Sequence, residues 1–363
     1  MIKIPINISY NELLLAYADL RKGKSRKASC IEFEGNFFEN ITDLHSDLLS
    51  GLYKIKPSTC FVVSSPNTRE IWSSQFRDRI IHHLLYRYMQ PIFEPEFSES
   101  SCACIPGRGT LYGAVRLEGM VKESLLEFEN PFYLKMDLSN FFVSINKNIL
   151  WEILKDKIPD QWAVDLTRYV LYNDPRIGAI YNSDPEMFLK VEERKRLNLC
   201  DDIHGLPIGN LTSQFFANVL LNELDQYVER ALGIKYYVRY VDDMVILGDS
   251  SAYLKDIENK LHEFVKLLDL QFNPKKTIIQ PVSRDVTFVG HRITKNGRAL
   301  SKDCRNRFLS KIKKSYCVDH VDAFLGYLSQ YTQCYSITEA LVILQLLSGH
   351  CKNATRMMLD RYR

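Results

Sequence analysis

Residues 236–247, YYVRYVDDMVIL, place two adjacent carboxylates, Asp242 and Asp243, between two short runs of aromatic, β-branched and aliphatic residues. Two β-prone runs that meet at a tight junction are typical of a β-hairpin. Because the flanking residues are almost wholly apolar, the hairpin is expected to be largely buried, with its charge concentrated at the turn. The pattern therefore predicts a strand, a tight acidic turn and a second strand.

Adjacent carboxylates held among apolar residues favour a bound cation. Burying like charges together raises the pKa of one of them and costs free energy unless a positive charge is near. Mg²⁺ prefers a few carboxylates together with phosphate oxygens. A third carboxylate, Asp137, follows the run 132–136, which is typical of a buried strand, and would complete a two-ion site for phosphoryl transfer. Two aspartates are also ordinary turn residues, so the pair alone leaves both interpretations open.

Apolar spacing predicts helices on either side of this hairpin. The helical patterns cover residues 11–20, 41–52, 76–93 with a break at Pro91, and 148–158. A further helix is predicted after the N-cap candidates 249–251, with an apolar stripe from Leu254 to Leu268. The order strand, helix, hairpin, helix predicts an α+β fold with a mixed sheet backed by helices.

Length and composition set the broad class of protein. The 363 residues carry a net charge of +3 and nine cysteines, an odd number without zinc-ligand spacing, so reduced thiols are expected. No apolar run approaches the ~20 residues of a membrane helix, and the N-terminus lacks a secretory pattern, so a cytoplasmic protein is expected. Residues 21–27 hold five cations and residues 295–363 hold twelve Lys/Arg against five Asp/Glu. Both segments could follow a phosphate backbone or be solvated surface.

The order of the motifs resembles that of reverse transcriptases. The YVDD segment (240–243) resembles their Y-x-D-D box, and MDLSNFF (136–142) resembles their first aspartate box. Five further segments occur in the family's order: REI (69–71), RDRIIHH (77–83), GLPIGNLTSQ (205–214), NPKKT (273–277) and FVG (288–290). Each motif alone is weak or moderate, whereas seven in order indicate the family strongly.

This resemblance implies a right-hand polymerase. The expected subdomains are fingers over residues 1–127, a palm over 128–296 with an antiparallel sheet backed by helices, and a short, basic, helical thumb over 297–363. Part of residues 172–202 is expected to be a fingers insertion. The implied activity is RNA-directed DNA synthesis, with template RNA, a DNA primer strand and deoxynucleoside triphosphates as substrates.

The resemblance also implies a role for individual residues. Asp137, Asp242 and Asp243, with the carbonyl of Leu138, would hold two Mg²⁺ ions, which Mn²⁺ can replace, and Lys276 would be the general acid for the leaving pyrophosphate. Phe142 would exclude a ribose 2′-OH; its alternative is core packing. The other residues expected to contact the nucleotide are Arg69, Arg79, Ile208, Gly209 and Gln214, with a structural ion pair as the alternative for Arg79. Those expected to contact primer and template are Phe288, Val289, Gly290, Arg305, Arg307 and Lys311.

One variant motif narrows the resemblance. Most reverse transcriptases have Gln at the position of Ile208, and the form IGNLTSQ (208–214) is similar to that of diversity-generating retroelements. That group copies a template-repeat RNA with substitutions at template adenines, together with a small, basic, helical accessory protein. A β-branched aliphatic side chain offers no hydrogen bond. Loss of a hydrogen bond near the nucleotide sugar would weaken the discrimination between nucleotides by ~1–3 kcal/mol. The alternatives are another prokaryotic reverse transcriptase, of the group II intron, retron or phage-defence kind, and a catalytically idle RNA-binding scaffold.

Overall fold

The computed structural model describes residues 5–64 and 67–307 of the chain. Contacts divide the chain into two compact units. The first unit comprises Met1–Ile105, Asp137–Ile234 and Asn259–Lys276, and the second comprises Pro106–Met136, Lys235–Glu258 and Thr277–Arg363. Asp137 therefore belongs to the first unit, whereas Asp242 and Asp243 belong to the second.

Groups of helices and groups of strands follow one another along the described residues. The helices are α1 (Tyr10–Arg21), α2 (Ala28–Gly35), α3 (Phe37–Leu49), α4 (Phe76–Phe93), α5 (Thr110–Glu127), α6 (Phe141–Ser144), α7 (Lys147–Lys155), α8 (Gln161–Tyr172), α9 (Pro185–Leu189), α10 (Leu211–Gln226) and α11 (Ser251–Leu267). The strands are β1 (Thr59–Val63), β2 (Arg69–Ser73), β3 (Phe132–Asp137), β4 (Ile180–Tyr181), β5 (Tyr237–Tyr240), β6 (Asp243–Gly248), β7 (Ile278–Pro281), β8 (Val286–Phe288), β9 (His291–Thr294) and β10 (Gly297–Leu300).

The first unit is mainly helical and is built around α4. This helix packs against α1, α8 and α10, because its buried face presents Ile80, Leu84, Leu85 and Met89 to them. The predicted break at Pro91 is wrong: α4 continues to Phe93. Pro91 lies in the last turn, where little helix remains to be disrupted.

A small sheet of the first unit contains strands from residues 1–127, the predicted fingers, and from residues 172–202, the predicted insertion. β1 and β2 form an antiparallel hairpin, and β4 pairs with β1 in parallel, with Thr59 opposite Ile180 and Cys60 opposite Tyr181. β4 and α9 are the regular elements of the 172–202 segment, together with two short 3₁₀ turns. Residues 172–202 are thus attached to the sheet that carries Arg69.

The second unit contains the predicted hairpin in a sheet of order β5-β6-β3-β7. Tyr237 pairs with Ile246 and Tyr240 pairs with Asp243, so Val241 and Asp242 form a two-residue turn. The hairpin prediction is confirmed. Helix α5 packs on β5, β6 and β9, which covers the buried face of these strands. β8, β9 and β10 form a second antiparallel sheet.

The secondary structure follows the predicted α+β pattern of antiparallel sheets and helices. The helices predicted over 11–20, 41–52 and 148–158 correspond to α1, α3 and α7, with ends that differ by a few residues. The helix predicted after Asp249 begins at Ser251. Within residues 5–64 and 67–307, no helix is long and apolar enough to cross a membrane.

Val241 occupies an unusual backbone conformation at the tip of the β5–β6 hairpin. Its φ is +56°, in the left-handed region that disfavours β-branched residues. Arg239, which is fully buried, donates from Nη1 to the Val241 carbonyl at 2.8 Å and holds the turn in place. The turn that carries Asp242 is therefore strained and fixed by a buried cation.

Relieving this strain should stabilise the protein. Asn tolerates the left-handed region, so Val241→Asn should raise the free energy of unfolding by about 1 kcal/mol. The control is Val238→Asn, because Val238 is fully buried on β5 and its replacement should destabilise the hairpin. Urea denaturation measures both changes. A Val241→Asn variant less stable than the wild type would show that side-chain contacts of Val241 outweigh the backbone strain.

Candidate active site

Asp137 and Lys276 lie together in the first unit. The Asp137 carbonyl accepts a hydrogen bond from the Asn273 amide at 2.8 Å, and the Ser139 amide donates to the Gln271 carbonyl at 2.7 Å. These bonds hold the NPKKT segment beside the end of β3. Lys276 Nζ is consequently 2.9 and 2.8 Å from Oδ1 and Oδ2 of Asp137. Two residues separated by 139 positions in the sequence thus form one ion pair.

Leu138 follows Asp137 in the same buried segment. It is fully buried and forms an antiparallel bridge with Phe272. Its position beside the NPKKT segment is therefore fixed, which is the property required of a residue whose carbonyl contacts an ion.

Asp243 has its own lysine in the second unit. Asp243 begins β6, and its Oδ2 is 3.2 Å from Lys135 Nζ. The same amine donates to the Thr287 carbonyl at 2.8 Å. Sequence reasoning missed Lys135, although one cation in the otherwise apolar run FYLKM (132–136) was a visible irregularity. Asp242 occupies the turn immediately before Asp243 and is partly exposed.

The charge environment of Asp137 and Asp243 bears on whether these carboxylates could bind a metal ion. Each pair places a positive charge directly on a carboxylate, at Asp137 and at Asp243. Carboxylate oxygens are the ligands that Mg²⁺ prefers, so the donor set suits that ion. In the part of the chain that the structure describes, no three His, Cys, Asp or Glu side chains are gathered into a metal-binding group. The carboxylates therefore fit the ion by the chemistry of their oxygen donors.

The loop of the GLPIGNLTSQ motif joins two candidate nucleotide contacts. The Leu206 amide donates to the Phe142 carbonyl at 2.8 Å, and the Trp72 amide donates to the Ile208 carbonyl at 2.7 Å. Phe142 and Ile208 are both partly exposed, so their side chains are accessible. The loop therefore lies between the first aspartate box and strand β2.

Gly209 is required by the close approach of this loop to β2. Its φ is +131°, and a Cβ at this position would lie 2.9 Å from the Trp72 carbonyl oxygen and from Ile71 Cγ2. Any side chain would therefore push the loop away from the strand. Gln214 lies in the first turn of α10, where it is exposed and accepts a weak hydrogen bond from the Cys104 thiol at 3.6 Å.

A buried chain of polar side chains anchors the same loop. The Ser74 hydroxyl donates to Asn210 Oδ1 at 3.0 Å, and His82 contacts Ser74 Oγ through Nε2 at 3.0 Å and Thr212 Oγ1 through Nδ1 at 2.7 Å. Burial lowers the pKa of His82 to about 3, so the ring is neutral. It then donates from Nε2 and accepts the Thr212 hydroxyl at Nδ1. Sequence reasoning did not find this network, because it joins residues 74 and 82 to residues 210 and 212, which lie 130 or more positions further along the chain.

The two candidate arginines occupy different environments. Arg69 begins β2 and is partly exposed. Arg79 donates from Nε to the Ser74 carbonyl and from Nη2 to the Ser73 hydroxyl, both at 2.8 Å, and burial lowers its pKa. Among the described residues no carboxylate forms an ion pair with Arg79, so the alternative to triphosphate binding, a structural ion pair, is not observed there. Its guanidinium is partly buried without a carboxylate.

The residues predicted to contact primer and template differ in their exposure to solvent. Phe288 is fully buried on β8, whereas the preceding residue, Thr287, is exposed, so the ring of Phe288 lies in the core and its contact with the primer stays a prediction. Val289 and Gly290 form the β8–β9 turn with φ of +43° and +84° and are partly exposed. Arg305 and Arg307 are exposed at the end of the described chain, and Lys311 lies outside the described residues.

Comparisons with known proteins agree with this set of motifs. The family model described as "Reverse transcriptase (RNA-dependent DNA polymerase)" matches residues 62–293. Protein YkfC of Escherichia coli (strain K12) is 26% identical over 285 residues, which is 69% of this chain and 70% of YkfC. The retron Ec73 reverse transcriptase of Escherichia coli is 28% identical over 181 residues, which is 47% of this chain and 51% of that protein.

The fold is shared with a solved polymerase structure. Telomerase from Candida albicans, in complex with a TWJ fragment of telomeric RNA, aligns with a TM-score of 0.52 at 10% identity. The alignment covers 90% of this chain and 60% of the telomerase chain. The likeness supports the right-hand polymerase fold that the motifs predicted.

The buried polar chain makes a prediction about stability. Thr212→Val keeps the side-chain shape but leaves His82 Nδ1 without its hydroxyl donor, which should lower the free energy of unfolding by about 1–3 kcal/mol. Thr212→Ser should restore most of that loss. The matched control is Thr167→Val, because the buried Thr167 hydroxyl contacts only the Met89 sulfur, at 3.7 Å. If urea denaturation gave the two valine variants equal stability, the network would not anchor the loop.

Proposed function

This chain belongs to the reverse transcriptase (RNA-dependent DNA polymerase) family, and we propose that it copies an RNA template into DNA with its own active site. The observation that carries the proposal is the ion pair of Lys276 with Asp137, which joins two family motifs that are far apart in sequence. A catalytically idle scaffold has no need to keep a costly group of three carboxylates. Asp137, Asp242 and Asp243 are all present, which favours an active enzyme.

The carboxylates are proposed as ligands of two Mg²⁺ ions. Asp137 and Asp242 would contact both ions, Asp243 would be a weaker ligand, and the Leu138 carbonyl would contact the ion on the nucleotide side. When bound, such ions lower the pKa of the attacking hydroxyl and stabilise charge on the leaving oxygens. Lys276 Nζ, already beside Asp137, would donate its proton to the leaving pyrophosphate.

The GLPIGNLTSQ loop and the arginines are proposed to shape the nucleotide pocket. Phe142 would exclude a 2′-OH by its bulk, and Ile208 would contact the nucleotide through shape alone. Gly209 and Gln214 would line the same pocket. Arg69 and Arg79 would bind the triphosphate, since arginine offers paired donors to phosphate oxygens.

Within this activity we infer the role of a diversity-generating retroelement enzyme. The support is the motif IGNLTSQ (208–214), which carries Ile where most of the family has Gln. The proposed template is a template-repeat RNA, copied with errors at adenines, and the proposed partner is a small, basic, helical accessory protein. The similarity to the retron Ec73 enzyme favours a second candidate, a retron-type or other prokaryotic reverse transcriptase. A template repeat and a variable repeat in the neighbouring DNA, differing mainly at adenines, would distinguish the two.

The catalytic proposal predicts the effect of removing one carboxylate. Asp242→Asn keeps the shape of the turn but removes a charge that the ions require, so Mg²⁺-dependent primer extension should fall by at least 100-fold, on the order of one lost catalytic electrostatic contact. RNA binding should be retained. The control is Asp249→Asn, which removes the same charge from an exposed position just after β6. Extension by Asp242→Asn at the control rate would refute the assignment.

The subtype proposal predicts a change in the error spectrum. Ile208→Gln restores a hydrogen-bonding side chain, so misincorporation opposite template adenine should fall roughly ten-fold or more, for ~1–3 kcal/mol of added discrimination. Errors opposite the other three bases should change less. Sequencing of cDNA made on one defined template measures both. An even error spectrum in the wild-type enzyme would argue against the diversity-generating role, and an adenine bias unchanged by Ile208→Gln would exclude Ile208 from its cause.

A further inference from the structure

A groove of about 810 Å³ lies in the first unit, lined by none of the residues assigned above to catalysis or nucleotide binding. One wall is the segment 54–58, between α3 and β1. The other wall is the C-terminal half of α8 with the loop that follows it. The residues that give the groove its chemical character are Lys54, Lys56, Arg168, Tyr169, Tyr172 and Asn173.

The groove carries a net positive charge, because its lining holds three cations and two carboxylates, one of which is paired with Arg176. Lys54, Lys56 and Arg168 form no ion pair with any residue in the described part of the chain, and all three are exposed. The two carboxylates of the groove are engaged elsewhere: Asp174 pairs with Arg176 at 2.8 Å, and Asp165 accepts a hydrogen bond from the Gln161 amide at 3.1 Å. An anionic ligand would therefore meet three cations and a single carboxylate, Asp165, that no cation among the described residues neutralises.

Aromatic rings accompany these cations. Tyr172 is 36% exposed, and its hydroxyl donates to Asn148 Oδ1 at 2.8 Å, which fixes the orientation of the ring. The Arg168 guanidinium lies 5.8 Å from the ring centre of Trp151. A cationic groove with an exposed aromatic ring, here that of Tyr172, is an arrangement by which proteins bind single-stranded nucleic acid, through phosphate contacts and base stacking.

The backbone of the basic wall is fixed before any ligand binds. Asp78, which is buried, accepts from the Lys56 amide at 2.9 Å and from the Tyr53 hydroxyl at 2.8 Å. The Ile55 amide donates to the Tyr169 hydroxyl at 3.3 Å and joins the two walls. The conformational entropy lost on binding is therefore that of the side chains and the ligand, because the backbone of the loop is already ordered.

We propose that this groove binds a single-stranded segment of RNA that flanks the region being copied. That the RNA is a template rests on the proposed polymerase function, whereas the binding of single-stranded RNA does not. Unpaired bases are required, because only they expose a face that can stack on Tyr172. Three cations without carboxylate partners favour a phosphodiester chain over a protein surface of mixed charge.

The first experiment measures binding alone and needs no catalysis. The probe is a fluorescently labelled 20-nucleotide single-stranded RNA, and its affinity for the full chain is measured by anisotropy across a salt series. Combined Lys54→Ala, Lys56→Ala and Arg168→Ala changes should flatten the slope of log affinity against log salt by ~0.7 per contact, or about 2 in total. The control combines Lys155→Ala, Lys157→Ala and Lys195→Ala, which remove three cations of the first unit that are paired with carboxylates.

Stacking is tested separately from charge. Tyr172→Ala should weaken RNA binding about ten-fold or more, as loss of ~1–3 kcal/mol of stacking implies, and Tyr172→Phe should bind like the wild type. A salt slope for the groove variant equal to that of the control variant, or equal binding by Tyr172→Ala and Tyr172→Phe, would overturn the proposal. Either result would direct the groove toward a protein partner instead.

The template role is tested by extension of primers on two RNAs. One template has a 2-nucleotide and the other a 20-nucleotide single-stranded 5′ flank. The wild type should extend the long-flank template at lower enzyme concentration, and the groove variant should lose that advantage while it keeps its rate on the short-flank template. Equal loss on both templates would contradict a flank-binding role. If the wild type extended neither template, the polymerase proposal would fail while the binding result would still stand.

Discussion

Carboxylates at the ends of buried strands need a positive charge beside them, and this constraint governs the architecture around the motifs. Asp137 receives it from Lys276 and Asp243 receives it from Lys135. The first pair requires the NPKKT segment to return beside β3, which the backbone hydrogen bonds of Asn273 and Gln271 achieve. The second requires a lysine within an apolar strand. Charge compensation therefore accounts for two features of the chain that packing alone would not produce.

The motif loop depends on a second kind of constraint, the satisfaction of buried polar groups. Ser74, His82, Asn210 and Thr212 exchange hydrogen bonds in the interior of the first unit, where an unpaired group would cost ~1–3 kcal/mol. Asn210, a member of this network, directly follows Gly209, whose backbone lies close against Trp72 of β2. A nucleotide pocket that selects by shape, as proposed for Ile208, would require such a fixed backbone. The groove beside α8 is ordered in the same way, through Asp78.

Much of the secondary structure around the motifs was predictable from local sequence. The hairpin, its acidic turn and most of the helices follow from apolar periodicity and turn composition, which act over a few residues. What could not be predicted depends on distant partners: the lysine that pairs with Asp243, the neutral His82 and the parallel pairing of β4 with β1. The burial of Phe288, a predicted primer contact, was also not foreseen, because a motif does not reveal which face of a strand is buried. The left-handed Val241 was missed because a β-branched residue is not expected there.

The central claim is that the carboxylates of Asp137, Asp242 and Asp243 hold two divalent ions when substrates are bound. The most direct measurement is the number of Mn²⁺ ions bound per chain, determined by electron paramagnetic resonance with an RNA–DNA template–primer and a non-reacting nucleotide analogue. The account predicts two ions in the wild-type complex and a clear loss of bound Mn²⁺ when Asp137 and Asp242 are both replaced by Asn. A folded, nucleic-acid-bound complex that holds the same number of ions with and without these two carboxylates would contradict it.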